Sequence, residues 1–194
     1  LIFIIELIFP IYVRRIESYK RWIINFSFVL INTLILRFLF PILAVSFASI
    51  CIKYNIGIFN YFNFNGLFSV IVSFLFLDLG IWLQHLLFHK VGFLWRFHKI
   101  HHSDEEVDFT TGIRFHPIEI IISMIYKFIL IAIIGPSIAL VIIFEIILNA
   151  SSIFNHGNIK IKKKYDLNFR KLIVTPNMHR IHHSEEEKET NSNY

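Results

Sequence analysis

Cysteine is nearly absent. Cys51 is the only one in 194 residues, so no intramolecular disulfide can form and thiolates do not supply a metal site. Nucleotide signatures are missing too: there is no G-x-G-x-x-G, no P-loop and no G-x-S-x-G elbow. That removes an obvious nicotinamide or flavin site and serine-nucleophile chemistry, and any electrons must come from a separate partner. Charge is sparse, at 17% of residues against 55% hydrophobic, and the formal excess of +5 clusters beside apolar runs rather than on a polar surface. This excludes nucleic acid as a partner and points to a membrane protein with a positive-inside bias. Histidine is missing as well, until His85.

From there it occurs ten times. The chain reads HKIHHSDEE at 98–106 and HRIHHSEEE at 179–187, so His98, His101 and His102, and again His179, His182 and His183, stand at i, i+3 and i+4. On a helix these positions share a face, and each copy is expected to offer three imidazoles to one point. His85 and His89 form a third cluster at i, i+4, and His116 and His156 lie between the repeats. Structural histidines scatter singly; eight in three spaced clusters point to metal. A structural zinc takes about four ligands and a catalytic one about three, so eight to ten imidazoles suit two ions. Imidazole serves iron, zinc, copper and nickel, so ligand type does not choose the metal.

The chain opens at Leu1 inside an apolar run with Arg14 and Arg15 behind it, the reverse of a signal peptide, and is read as starting within a membrane segment. After the basic stretch 14–21, Trp22 to Ile52 is expected to be one tilted or Pro41-kinked span, with Arg37 in need of a partner or a route to the interface. A second span is expected from Gly66 to His89. It carries Asp78, which the spacing offers either to Arg37 or as a support for a histidine. Ile118 to Asn149 breaks at Gly135–Pro136 and reads as a hairpin of two short helices entering from one side, which keeps His116 and His156 together. Glu145, Asn149, Ser152 and His156 recur as one polar stripe on the second arm, so Glu145 and Asn149 are further candidate supports. Lys160, Lys162, Lys163, Lys164, Arg170 and Lys171 follow. With the basic 14–21 stretch in the cytoplasm, every histidine and this second basic run fall on the cytoplasmic side.

The acidic tails Asp104, Glu105, Glu106 and Glu185, Glu186, Glu187 are expected either to brace the rings or to be solvated helix faces. A pair of ions facing lipid suits oxidation of an acyl chain or ring system, and an iron pair with O2 can break an unactivated C–H bond. A metal transporter or store is the reading from another class, but it would place ligands near the bilayer midplane.

The order HxxxH (His85–His89), HxxHH (His98–His102), RFHP, FNHGN (Phe154–Asn158) and TPNMHRIHH (Thr175–His183) resembles the fatty acid hydroxylase superfamily, especially its bacterial sterol desaturase-like branch. The resemblance covers about residue 20 to the end. It implies a single membrane-embedded domain over 1–194 with both ends truncated, an all-α integral membrane bundle with a cytoplasmic histidine-rich di-metal cap. It implies two irons held by His85, His89, His98, His101, His102, His156, His179, His182 and His183, with His116 a further candidate; zinc can replace iron in a purified sample. It also implies a lipid substrate, electrons from a cytochrome b5- or ferredoxin-type donor, and hydroxylation, or desaturation on the same site. Asn155 stands where some members carry another histidine, and the tryptophan-containing ending beyond Asn193–Tyr194 is missing.

Overall fold

The computed structural model describes residues 1–14 and 18–194; Arg15 and Glu17 of the basic stretch lie outside the described residues. Among those described, every regular element is helical: α1 (Ile2–Ile8), α2 (Ser18–Leu39), α3 (Ala44–Lys53), α4 (Ile58–Tyr61), α5 (Leu67–Lys90), α6 (Gly92–His102), a 3-10 turn (Thr111–Ile113), α7 (Pro117–Ile134), α8 (Ile138–Asn155), α9 (Lys163–Phe169), α10 (Pro176–His182) and α11 (Glu187–Thr190). Four stretches are long and apolar enough to cross a membrane: Ser18–Tyr61, Leu67–Lys90, Pro117–Ile134 and Ile138–Asn155. Their large apolar side chains point outward, as with Leu30 and Leu34 on α2, Leu75 and Leu79 on α5, and Ile143 and Ile146 on α8. In water that face would drive aggregation; in lipid it is the solvated surface. The fold is an all-α membrane bundle.

Lipid gives apolar side chains no reason to leave it, so helices associate through close packing and polar contacts. Ala44, Ala48 and Cys51 of α3 bring that helix against α7 and α8, where Leu130, Ile131, Val141 and Phe144 meet Leu77 of α5. Gly80 lets α5 approach α7: a Cβ built there would lie 2.5 Å from the Leu130 side chain. The hairpin turns at Gly135, whose φ of +70° closes α7, and Ser137 caps α8 by accepting from the Leu140 N–H at 3.3 Å. Both arms are 18 residues, longer than the sequence suggests, because α8 runs on to Asn155.

One expectation changes. The first long span is not one kinked helix: α2 stops at Leu39, ahead of Pro41, and the chain restarts as α3. The opening run forms the seven-residue α1, whose Glu6 is buried in the polar end of the bundle. That buried carboxylate accepts from the N–H groups of Asn158 (2.8 Å) and Phe109 (2.9 Å) and pairs with Arg14.

The same polar end is clamped by a stripe on α2. Arg21 binds Asp104 (2.6 Å) and Asp108, Trp22 donates to Asp108 (2.8 Å), and Asn25 donates to Asp104 (3.0 Å) and Thr110 (2.8 Å). Two turns further, Asn32 donates to the Phe115 carbonyl at 2.9 Å. These bonds fix the 104–116 segment over the ends of α5, α6 and α8.

Candidate metal centre

Four helix ends meet there. His85 and His89 close α5, His98, His101 and His102 close α6, His156 follows α8, and His179, His182 and His183 come from α10. Their ring nitrogens form two neighbouring groups. His85, His89, His98, His102 and His182 make one; His101, His156, His179 and His183 make the other; within each, the nitrogens lie within 4.8 Å of one another.

The repeats therefore do not each serve one point. A helix turns about 100° per residue, so i and i+4 lie about 40° apart while i+3 sits about 60° to the other side. In the first repeat His98 and His102 join the five and His101 joins the four; in the second His179 and His183 join the four and His182 joins the five. Each helix contributes to both groups, and the two exchange their middle histidines.

Carbonyls fix the rings. A carbonyl oxygen only accepts, so the Nδ1 atoms of His101 (3.2 Å from the Arg114 carbonyl), His156 (2.6 Å from Ser152) and His182 (2.7 Å from Ser192) carry their protons, leaving lone pairs on Nε2. His98 directs Nδ1 to the Glu119 carboxylate at 2.7 Å, both side chains being buried. The His101 ring lies flat on Phe115, with centroids 4.7 Å apart. Gly112 leaves space for the His156 ring; a Cβ built there would lie 2.6 Å from the Ser152 carbonyl oxygen and 3.1 Å from His156 Nδ1.

These lone pairs face each other. His156 Nε2 lies 2.9 Å from the Nε2 atoms of His101 and His179 and 3.1 Å from that of His183. Two unprotonated nitrogens at such a distance repel, and a single proton cannot satisfy three partners. In the other group, His89 Nε2, His98 Nε2 and both nitrogens of His102 are buried without a partner among the described residues. Protonation is resisted as well. Burial, reinforced by neighbouring imidazoles, holds His98, His101, His102, His179 and His183 well below the ordinary histidine range, and burial brings His156 and His182 down to about 4. Neutral, convergent and unsatisfied nitrogen donors fit a cation in each group.

Nine of the ten histidines are thus brought together. His116 is not among them: its Nδ1 accepts from the Ile118 N–H at 3.1 Å and caps α7. The three proposed supports are elsewhere. Asp78 is exposed on α5 and makes no ion pair with Arg37, which is also exposed. Glu145 pairs with Lys127 at 2.6 Å, and Asn149 donates to the Glu145 carbonyl at 2.7 Å, so that stripe joins the hairpin arms instead. No acidic tail bonds a histidine among the described residues; Asp104 serves the α2 clamp, and Glu106 accepts from Ser18 at 2.8 Å. The carboxylate that does reach a ring, Glu119, was legible only as a lone acid at the polar end of an apolar run.

The fatty acid hydroxylase family pattern matches residues 70–194, from the first turn of α5 through both histidine groups. The chain belongs to the fatty acid hydroxylase family. Among its relatives in that family, the ornithine lipid hydroxylase OlsE of Rhizobium tropici is 28% identical over 128 residues, covering 66% of this chain and 38% of that protein. The alkylglycerol monooxygenase of Caenorhabditis elegans is 34% identical over 113 residues (56% of this chain, 20% of that protein), and the Homo sapiens enzyme of the same name 27% over 127 (63% and 26%). The chain therefore spans well under half the length of the curated relatives it matches. No solved structure matches it.

Proposed function

We propose that this fatty acid hydroxylase family member is a membrane-bound, non-haem di-iron oxidoreductase that uses O2 to hydroxylate a lipid C–H bond, as a single membrane-embedded unit over residues 1–194. The observation that carries the reading is the pair of adjoining, buried, all-imidazole groups. One iron held by each group would supply the O2 chemistry: one oxygen atom enters the C–H bond and the other leaves as water, with two electrons and two protons supplied. The electrons come from a separate cytochrome b5- or ferredoxin-type protein. Relatives named for hydroxylating an ornithine lipid and oxygenating alkylglycerols support a lipid as the substrate.

The chain's own residues hold and shield. Glu119 and the carbonyls of Arg114, Ser152 and Ser192 keep protons on Nδ1 and turn Nε2 inward. Burial keeps His101, His156, His179 and His182 dry and neutral at physiological pH. The basic residues Lys160, Lys162, Lys163, Lys164, Arg170 and Lys171 follow directly on the helix end that bears His156, whereas the 53–65 turn at the other end of the bundle carries Lys53 alone. That asymmetry favours a cytoplasmic location for the centre.

The test is aerobic lipid extraction from cells expressing the gene or its His182→Ala variant, with iron counted in the purified proteins. An oxygen added to a lipid by the parent and lost in the variant is expected. A new double bond instead would assign desaturation, and identical lipid profiles would remove the enzyme reading.

A further inference from the structure

A cavity of about 310 Å³ opens beside both histidine groups, lined by His102 of the five and His183 of the four. Those two rings stack with centroids 4.3 Å apart, so a carbon lodged there lies next to both groups at once. Tyr12, Ser103 and Val107 form part of the remaining lining, and the other four residues are charged. Asp104, Glu105 and Glu185 stand with Arg180, whose guanidinium lies 5.2 Å from the centre of the Tyr12 ring. Arg180 Nε and Asp104 Oδ1 are buried and have no hydrogen-bond partner among the described residues.

An acyl chain in this space would bury charge against methylene groups and leave those polar atoms unsatisfied, which is costly. A second cavity, of about 120 Å³, is lined by Ile52, Phe59 and Ser137 near the hairpin turn, at the end of α7 and α8 away from the histidines, and reaches none of them. Charge of both signs in one chamber fits a ligand that also carries both. Carboxylates recognise an ammonium, and the planar guanidinium pairs with a carboxylate or phosphate through parallel N–H bonds.

Resting on the lipid hydroxylase reading, we propose that this cavity receives the zwitterionic headgroup of a lipid, an ammonium beside a carboxylate or phosphate, so that the carbon offered to the metal pair belongs to the head rather than to the far acyl chain. Arg180 takes the anionic group, Glu185 and the Oδ1 of Asp104 take the ammonium, and the tail remains along the apolar outer faces of the bundle.

The test uses the full chain in phosphatidylglycerol nanodiscs, whose lipid carries no ammonium, with one added lipid at a time: an ornithine lipid (ammonium and carboxylate), a phosphatidylethanolamine (ammonium and phosphate), a neutral alkylglycerol or a free fatty acid. Binding to the metal-free protein is read by fluorescence, Trp95 lying 5.3 Å from the His102 ring. The iron-loaded protein is then supplied with O2 and a ferredoxin-type reductant, and product fragments are weighed. A zwitterionic lipid is expected to bind about tenfold more tightly than the neutral or the purely anionic one. The ornithine and ethanolamine arms tell carboxylate from phosphate recognition. Arg180→Gln should weaken that lipid about tenfold, and the exposed Glu185→Gln about threefold, without moving alkylglycerol binding. The added oxygen should sit on the headgroup fragment. Equal binding of all four lipids, variants that weaken all of them alike, or oxygen in the acyl fragment would overturn the headgroup site. Selective binding without any oxidation would keep the site and remove the hydroxylase reading.

Discussion

At the residue scale, Glu119 is the side chain whose loss separates metal holding from folding. Its Oε1 accepts the His98 Nδ1 proton and so turns Nε2 toward the five-histidine group. Glu119→Gln keeps an acceptor in the same place; Glu119→Ala frees the ring. Such partners are worth about 10–100-fold in metal affinity. Chelator competition should therefore show the alanine variant losing iron in that range while the glutamine variant stays close to the parent. Equal retention by both variants would make Glu119 a helix residue only.

At the element scale, the division of each repeat is the property to test. His101 and His102 are sequence neighbours, yet they belong to different groups. His101→Ala should lower nitrogen coordination in the four-membered group and His102→Ala in the five-membered one, as read by Mössbauer spectroscopy on iron-loaded samples, which resolves two inequivalent irons separately. Identical spectra for the two variants would contradict the split. The spacing made the metal-binding character legible because i, i+3 and i+4 hold on any helix, whatever its surroundings. It did not reveal the division, because a 100° separation still counts as one face until a second helix arrives to divide it. The hairpin was legible in Gly135–Pro136 for a local reason, a left-handed turn followed by a residue that cannot continue a helix. Asp78, Glu145 and Asn149 misled for the opposite reason. Their spacing names a stripe, but which neighbour the stripe meets depends on helix rotation, and α5 turns Asp78 outward while Lys127 claims Glu145. The α2 clamp went unread, although Ser18, Arg21, Asn25 and Asn32 recur at helical intervals in an apolar run.

At the scale of the whole molecule, orientation and acid response follow. Cys51 is buried, so cysteines placed at the exposed positions Lys162 and Asn63 report alone. A membrane-impermeant thiol reagent added outside cells should label Asn63→Cys and not Lys162→Cys; labelling of both from one side would overturn the cytoplasmic assignment. In metal-free protein, His156 and His182 have pKa values brought down to about 4 from an ordinary 6.5. The unfolded chain binds protons first, so their contribution is intact above pH 6.5 and is lost as pH falls from there through about 4. The thermal midpoint should decline across that window, and a flat profile would show that the rings are solvated.

The exchange of middle histidines between α6 and α10 has one more consequence. Each ion would grip both helices, so the first to arrive draws together the scaffold that the second requires, much as one rivet aligns the hole for the next. Loading should then be all-or-none: sub-stoichiometric iron would yield a mixture of empty and doubly filled molecules, with few holding a lone ion.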